Sequence, residues 1–159
     1  MSRKIEDLNP DTQKRLASAM AEMRLAGVDF FVSSTLRTSA EQAAYFAQGR
    51  SSLEIVNSLR SAAGMTPITS AENTYKVTNC DGVKYKSVHQ SGNAVDIVPL
   101  ENGRPVWPEL SDARWHTIAL IMQSHGFRWG GDWNGDGKTR ADGDLSETMV
   151  DYPHYERKA

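Results

Sequence analysis

Residues 87 to 98 read SVHQSGNAVDIV, which sets His89 seven positions before Asp96 with Gly92 between them. A second such grouping lies near the end of the chain, in DYPH, where Asp151 stands three residues before His154. A catalytic zinc ion commonly takes two histidines and a carboxylate and keeps a fourth position for water. His89, Asp96 and His154 can supply that set, with Gly92 allowing the tight backbone path that folds His89 toward a strand carrying Asp96. Two neutral imidazoles and one carboxylate leave a net positive charge on the ion, enough to bring the pKa of its water to about 7. Hydrolysis also needs a base for that water's proton, and a turn at Pro153 brings Asp151 to the side of His154. Arg37, at a strand-to-helix corner, is the candidate for holding an oxyanion or a substrate carboxylate, because its guanidinium is always charged and forked.

Each of these residues also has a plain structural reading. A lone histidine is more often a satisfied structural residue than a ligand, a His–Asp pair at this spacing arises by chance, and an isolated Arg37 is a solvated charge. His116 and His125 read as surface or capping residues on a helix. A further stretch, DWNGDG at 132 to 137, reproduces the D-x-N-x-D-G opening of a calcium loop through Asp132, Asn134 and Asp136. Its twelfth position is Gly143 where such loops want glutamate, so calcium binding and a polar, turn-rich loop both remain open.

The elements that must position these groups follow from local pattern. Asn9 and Pro10 open a helix whose Leu16, Met20, Met23 and Ala26 recur at helical spacing, and Gly27 ends it. VDFFVSSTL predicts a strand over 28–36 running into Arg37. Ser39 with Gln42 reads as a capping box for a helix through Ala47, and 52–63 reads as a short helix ending at Gly64. A hairpin is expected at Asp81-Gly82, and a second where the strand NAVDIVPL meets the Asn-Gly turn of ENGR. Ser111 is the expected cap of a helix whose apolar face is Trp115, Ile118, Ala119 and Met122; FRWGG and MVDYPHYE follow as extended segments. The four tryptophans, Trp107, Trp115, Trp129 and Trp133, read as core or cleft-lining, with core packing expected for Trp133. The economical architecture is α+β, a small and mostly antiparallel sheet flanked by helices.

At 159 residues the chain is expected to form one domain spanning 1–159. Its formal net charge of -2, without a long single-sign block, argues against nucleic acid as a partner. Cys80, the single cysteine, forms no internal disulfide. No apolar run of about 18 residues suggests a membrane-spanning helix, and MSRKIEDLNPDTQKRL lacks the apolar core of a secretory leader. The expectation is a monomer made in the cytoplasm.

SVHQSGNAVDIV matches the S-x-H-x-x-G-x-A-x-D motif of the zinc peptidases that include D-alanyl-D-alanine carboxypeptidases and bacteriophage L-alanyl-D-glutamate endopeptidases. The chain also resembles that family in STLRTSAEQ and in FRWGGDWNGDG ahead of a terminal D-x-x-H, in family order from about residue 28 to 156. Residues 50–80 carry no family motif and read as an insertion. The resemblance implies a hedgehog/D-Ala-D-Ala peptidase-like fold, His89, Asp96 and His154 as zinc ligands, Asp151 as acid/base and Arg37 as stabiliser. Ser87 and Gln42 fall in its substrate-binding segments, and some phage members carry a similar acidic loop beside the active site, where calcium stays open as a second cofactor. Carboxypeptidase branches place glutamate where this chain has Asp151; the phage branch has aspartate there. What this implies is an endolysin that cuts the L-alanyl-D-glutamate bond of peptidoglycan stem peptides and reaches the wall from the host cytoplasm through a holin. The alternatives are a D-alanyl-D-alanine carboxypeptidase and a non-catalytic cell-wall binding module, against which Asp151 speaks.

Overall fold

A computed structural model describes residues 1–147 and 149–157. Among the described residues four α-helices, α1 (Pro10–Leu25), α2 (Ser39–Ala47), α3 (Leu53–Ala62) and α4 (Ala113–Ser124), accompany five strands. The strands are β1 (Phe30–Ser34), β2 (Ala94–Glu101), β3 (Arg104–Pro105), β4 (Arg128–Trp129) and β5 (His154–Glu156). All pairings are antiparallel, in the order β1-β2-β5-β4, with β3 added to the far end of β2 through the expected Asn102-Gly103 hairpin. The α+β class, with helices around an antiparallel sheet, is as the sequence suggested.

The core sits between the sheet and the pair α1 and α4. Leu16, Met20 and Met23 recur along one face of α1, and Trp115, Ile118 and Met122 along one face of α4; both sets are buried together with Val95, Ile97 and Tyr155. Because side chains alternate along a strand, Val95 and Ile97 on the core side turn Asp96 to the opposite face. Burial of two apolar residues therefore fixes the direction of the carboxylate between them.

Three local expectations shift. The capping box of α2 is built by Thr38 and Glu41, one residue before the expected pair, with the Thr38 N–H donating to Glu41 Oε2 at 2.8 Å and the Glu41 N–H to Thr38 Oγ1 at 3.2 Å. Asp112 rather than Ser111 caps α4, accepting the Arg114 N–H at 2.9 Å. No hairpin forms at Asp81-Gly82: Asp81 Oδ1 accepts the N–H groups of Val83 and Tyr85 at 2.9 and 2.8 Å, and this side-chain turn displaces strand pairing. Residues 72–82 instead run as a strap over α2. Asn9 sits at the start of α1 as expected, yet its side chain donates to the Ser91 carbonyl at 2.9 Å and to Asn93 Oδ1 at 2.7 Å. It ties the helix to the turn that carries His89.

Candidate active site

Strand register brings the first two groups together. His154 is the direct partner of Asp96 across β2 and β5, and Ser34 is its partner across β1 and β2, so the three share one face of the sheet. His89 enters from a short 3-10 turn, Val88–Ser91, which Gly92 ends in the left-handed region at φ 70°. A Cβ at Gly92 would also lie 3.1 Å from the Asn9 nitrogen, so glycine serves both the turn and the close approach of α1. As a result His89 Nε2 lies 3.1 Å from Asp96 Oδ1 and 3.1 Å from His154 Nδ1, and His154 Nδ1 lies 3.2 Å from Asp96 Oδ1.

The outer nitrogens decide what the inner ones can do. His89 Nδ1 donates to the Thr35 carbonyl at 2.7 Å, and His154 Nε2 donates to Glu156 Oε2 at 3.2 Å. Each imidazole therefore presents its other nitrogen inward beside the carboxylate oxygen. Three lone pairs at this separation repel one another unless a cation or a proton sits among them, and two nitrogens with one oxygen suit a divalent metal. Without metal the proton takes that role. Burial alone would lower the His154 pKa, but hydrogen bonds to Asp96 and Glu156 and the charges of Asp96 and Asp151 push it up to about 9. Burial would raise Asp96, yet hydrogen bonds from His154 and His89 hold it far below the usual carboxylate range.

Asp151 reaches the same place through backbone contacts. Its N–H donates to the Gly130 carbonyl at 2.8 Å, the Gly130 N–H donates to the His154 carbonyl at 2.8 Å, and a side chain at Gly130 would collide with the Asp151 carbonyl. Trp129 Nε1 donates to the Tyr152 carbonyl at 2.7 Å, pinning the same turn. Asp151 keeps an exposed edge, but desolvation and then the charge of Asp96 raise its pKa, against opposing pulls from His154, His89 and Arg37. Arg37 follows β1. Its N–H donates to the His89 carbonyl at 3.2 Å, and its guanidinium lies 4.8 Å over the Tyr45 ring. Arg37 Nε is buried with no acceptor among the described residues.

A cleft runs across these groups in two lobes that share Arg37, Val77 and Asp151. The larger, about 700 Å³, is walled by Phe31, Tyr45, Trp107 and Asp96; the smaller, about 200 Å³, by Thr78, Cys80, Ser87, His89, Trp133 and His154. Ser87 thus lines the cleft. Gln42 does not: it is fully buried beneath the wall, with Arg37 Nη1 donating to its Oε1 at 3.0 Å, so it acts on Arg37 and cannot touch a ligand in the cleft.

A family model described as D-alanyl-D-alanine carboxypeptidase matches residues 81–141, which include His89 and Asp96. Among solved structures, the Serratia marcescens L-Ala D-Glu endopeptidase ChiX aligns over 97% of this chain and 83% of its own at 20% identity, with a TM-score of 0.54. VanYB in complex with D-alanine-D-alanine aligns over 96% and 72% at 19% identity, TM-score 0.56. A vancomycin-resistance D,D-pentapeptidase VanY in complex with Zn(II) aligns over 94% and 72% at 21% identity, TM-score 0.56. The chain has the fold of the VanY-like peptidases.

Within this VanY-like fold the acidic loop serves the cleft wall. Asp132 Oδ1 accepts the N–H groups of Gly135 and Asp136 at 2.8 and 3.2 Å, and Oδ2 accepts that of Gly137 at 3.0 Å. Asp136 Oδ1 accepts the Lys138 N–H at 2.9 Å, and Asn134 Oδ1 accepts the Asp136 N–H at 3.0 Å. These oxygens close the loop on its own backbone, and the calcium reading draws no support from that arrangement. The loop carries Trp133 to 5.6 Å from the His154 ring, so Trp133 lines the cleft where core packing was expected, and Trp107 is 65% exposed on the other lobe. His125 pairs with Glu22 at 2.7 Å on the surface, and His116 stacks edgewise on Trp129. Sequence reasoning missed the Thr35 carbonyl, which has no side-chain signal, and Glu156. The signal for Glu156 was its place two residues after His154, which puts both on one face of a strand.

Proposed function

We propose that this protein is a zinc peptidase that hydrolyses the L-alanyl-D-glutamate bond of peptidoglycan stem peptides, acting as a phage endolysin. The observation that carries the reading is the convergence of His89 Nε2, Asp96 Oδ1 and His154 Nδ1 beside Asp151 at the floor of a cleft. His89, Asp96 and His154 would hold the ion. The chemistry a bound zinc ion supplies is Lewis acidity toward water and toward a scissile carbonyl. Asp151, its pKa raised toward working pH, takes the proton of the attacking water on a carboxylate oxygen and passes it to the leaving amine. The Arg37 guanidinium donates to the oxygen on which negative charge develops, and Tyr45 and Gln42 hold it in place for that contact.

The bond assignment is supported by Asp151, since the resemblance puts aspartate at this position in the phage endopeptidases and glutamate in the carboxypeptidases, and by the likeness of the fold to ChiX. The carboxypeptidase reading is favoured by the description of the matching family model and by the D-alanine-D-alanine complex of VanYB. Mass spectrometry of purified peptidoglycan digested with and without a chelator separates the two. Release of stem peptides beginning with D-glutamate, abolished by chelation, is the expected result; release of free D-alanine supports the carboxypeptidase, and no cleavage ends the enzymatic reading. The endolysin role is supported by the phage-type Asp151 and is tested by lysis of cells expressing the protein with and without a holin.

A further inference from the structure

The stretch that carried no recognisable motif ends as a wall of the cleft. Val77, Thr78, Asn79 and Cys80 line the smaller lobe, and Val77 lines both. This strap hangs on α2 and the turn that follows it. Gln48 Nε2 donates to the Glu72 carbonyl at 2.9 Å, the Gly49 N–H to Asn73 Oδ1 at 3.0 Å, and Arg50 Nη2 to Asn79 Oδ1 at 3.2 Å. Gln42, one turn into the helix, reaches in two directions. Its Oε1 accepts from Arg37 Nη1 at 3.0 Å, and its Nε2 donates to the Cys80 carbonyl at 2.6 Å and lies 3.4 Å from Thr78 Oγ1. Both ends of the amide are used and the side chain is fully buried.

Gly82 shows how closely the strap lies on this side chain: a Cβ there would come within 2.6 Å of Gln42 Cγ. The peptide at 82 is held from the other side by Gln90 Nε2, which donates to the Gly82 carbonyl at 3.2 Å and belongs to the turn that carries His89. Arg37 and the strap therefore meet at the buried Gln42 amide, and the His89 turn holds the strap at the neighbouring Gly82 peptide.

We propose that Gln42 is a positioning residue that joins the Arg37 guanidinium to the 77–80 wall, so that the cationic group and the wall against which a substrate lies keep one fixed separation. The catalytic consequence rests on the peptidase reading above. A buried amide is suited to this task because it offers an acceptor to a cation and donors to a carbonyl without adding a charge. A shift of about 1 Å in such a group is worth up to about 100-fold in rate.

The test uses the full chain loaded with zinc and compares Gln42→Met, which keeps the volume and loses both polar ends, with Arg37→Ala and the double variant. Gln42→Met is expected to lower kcat about 10- to 100-fold with KM within about 3-fold. In the Arg37→Ala background the same change is expected to cost less than about 2-fold, because the group it positions is gone. Equal losses in both backgrounds, or a rise in KM at unchanged kcat, would overturn the proposal. Gln42→Glu keeps the acceptor for Arg37 but loses the donor to the Cys80 carbonyl; a fall in kcat of about 10-fold or more supports the proposal even if the methionine variant fails to fold, and kcat within about 3-fold of the parent contradicts it. Hydrogen exchange supplies a readout independent of turnover. Amides of residues 77–82 should exchange at least about 10-fold faster in Gln42→Met while those of β2 do not change; unchanged exchange at 77–82 overturns the coupling. A parent protein that cleaves no muropeptide would sink the peptidase reading alone, leaving the exchange result to judge Gln42.

Discussion

Asp96 and His154 face each other as direct partners across β2 and β5, with His154 Nδ1 3.2 Å from Asp96 Oδ1. Register alone makes this contact, since a slip of one residue would send either side chain to the core face among Tyr155 and Ile97. The pair is complete as a cation site only when His89 is brought over it by the turn ending at Gly92.

The proton held there must leave when metal enters. With its folded pKa raised from 6.5 to about 9, His154 stabilises the metal-free protein below pH 6.5, and that contribution is lost as the pH climbs toward about 9. The metal-free melting temperature should therefore fall across this window. Zinc binding at pH 7 should release about one proton, read as a dependence of calorimetric binding heat on the buffer's ionisation enthalpy. Binding heat that is independent of buffer would contradict the assignment.

Asp151→Asn should lower kcat by about 100- to 10,000-fold while zinc content stays at the parental level. Because the folded pKa of Asp151 lies above its unfolded value, its charged form works against the fold once the pH exceeds the carboxylate range. The metal-free asparagine variant should consequently melt higher than the parent at neutral pH. Loss of zinc from this variant would instead make Asp151 a ligand.

Glu156 holds the outer nitrogen of His154 and, with its pKa lowered chiefly by that hydrogen bond, stays ionised. Glu156→Ala should weaken zinc binding about 10- to 100-fold in a chelator competition, with full activity restored at saturating metal. An affinity equal to the parent's would show that the second carboxylate has no hold on the ligand.

Arg37→Lys keeps a positive charge but loses the fork that reaches Gln42 and the cleft together. The expected result is a fall in kcat/KM of about 100- to 1,000-fold on muropeptides, carried mostly by kcat. A change confined to KM would place Arg37 on a substrate carboxylate present in the ground state.

Much of the local structure could be read from the chain. The apolar spacing of Leu16, Met20 and Met23 and of Trp115, Ile118 and Met122 marked the two core helices, since burial requires one face of each to be apolar. Where side chains compete for backbone N–H groups the reading slipped, as at Thr38, Asp81 and Asp112, because several neighbours could make the same bond. Residue types and Gly92 were enough to nominate His89, Asp96, His154, Asp151 and Arg37. Only the folded chain could bring them together, since antiparallel register and the approach of α1 to the turn join groups far apart in sequence, His89 and His154 alone being 65 residues apart. The same is true of what surrounds them. That the Thr35 carbonyl holds His89, that Gln42 lies beneath the wall and not in the cleft, and that the oxygens of the 132–137 loop bind its own backbone all depend on distances between atoms, which no one-dimensional spacing encodes.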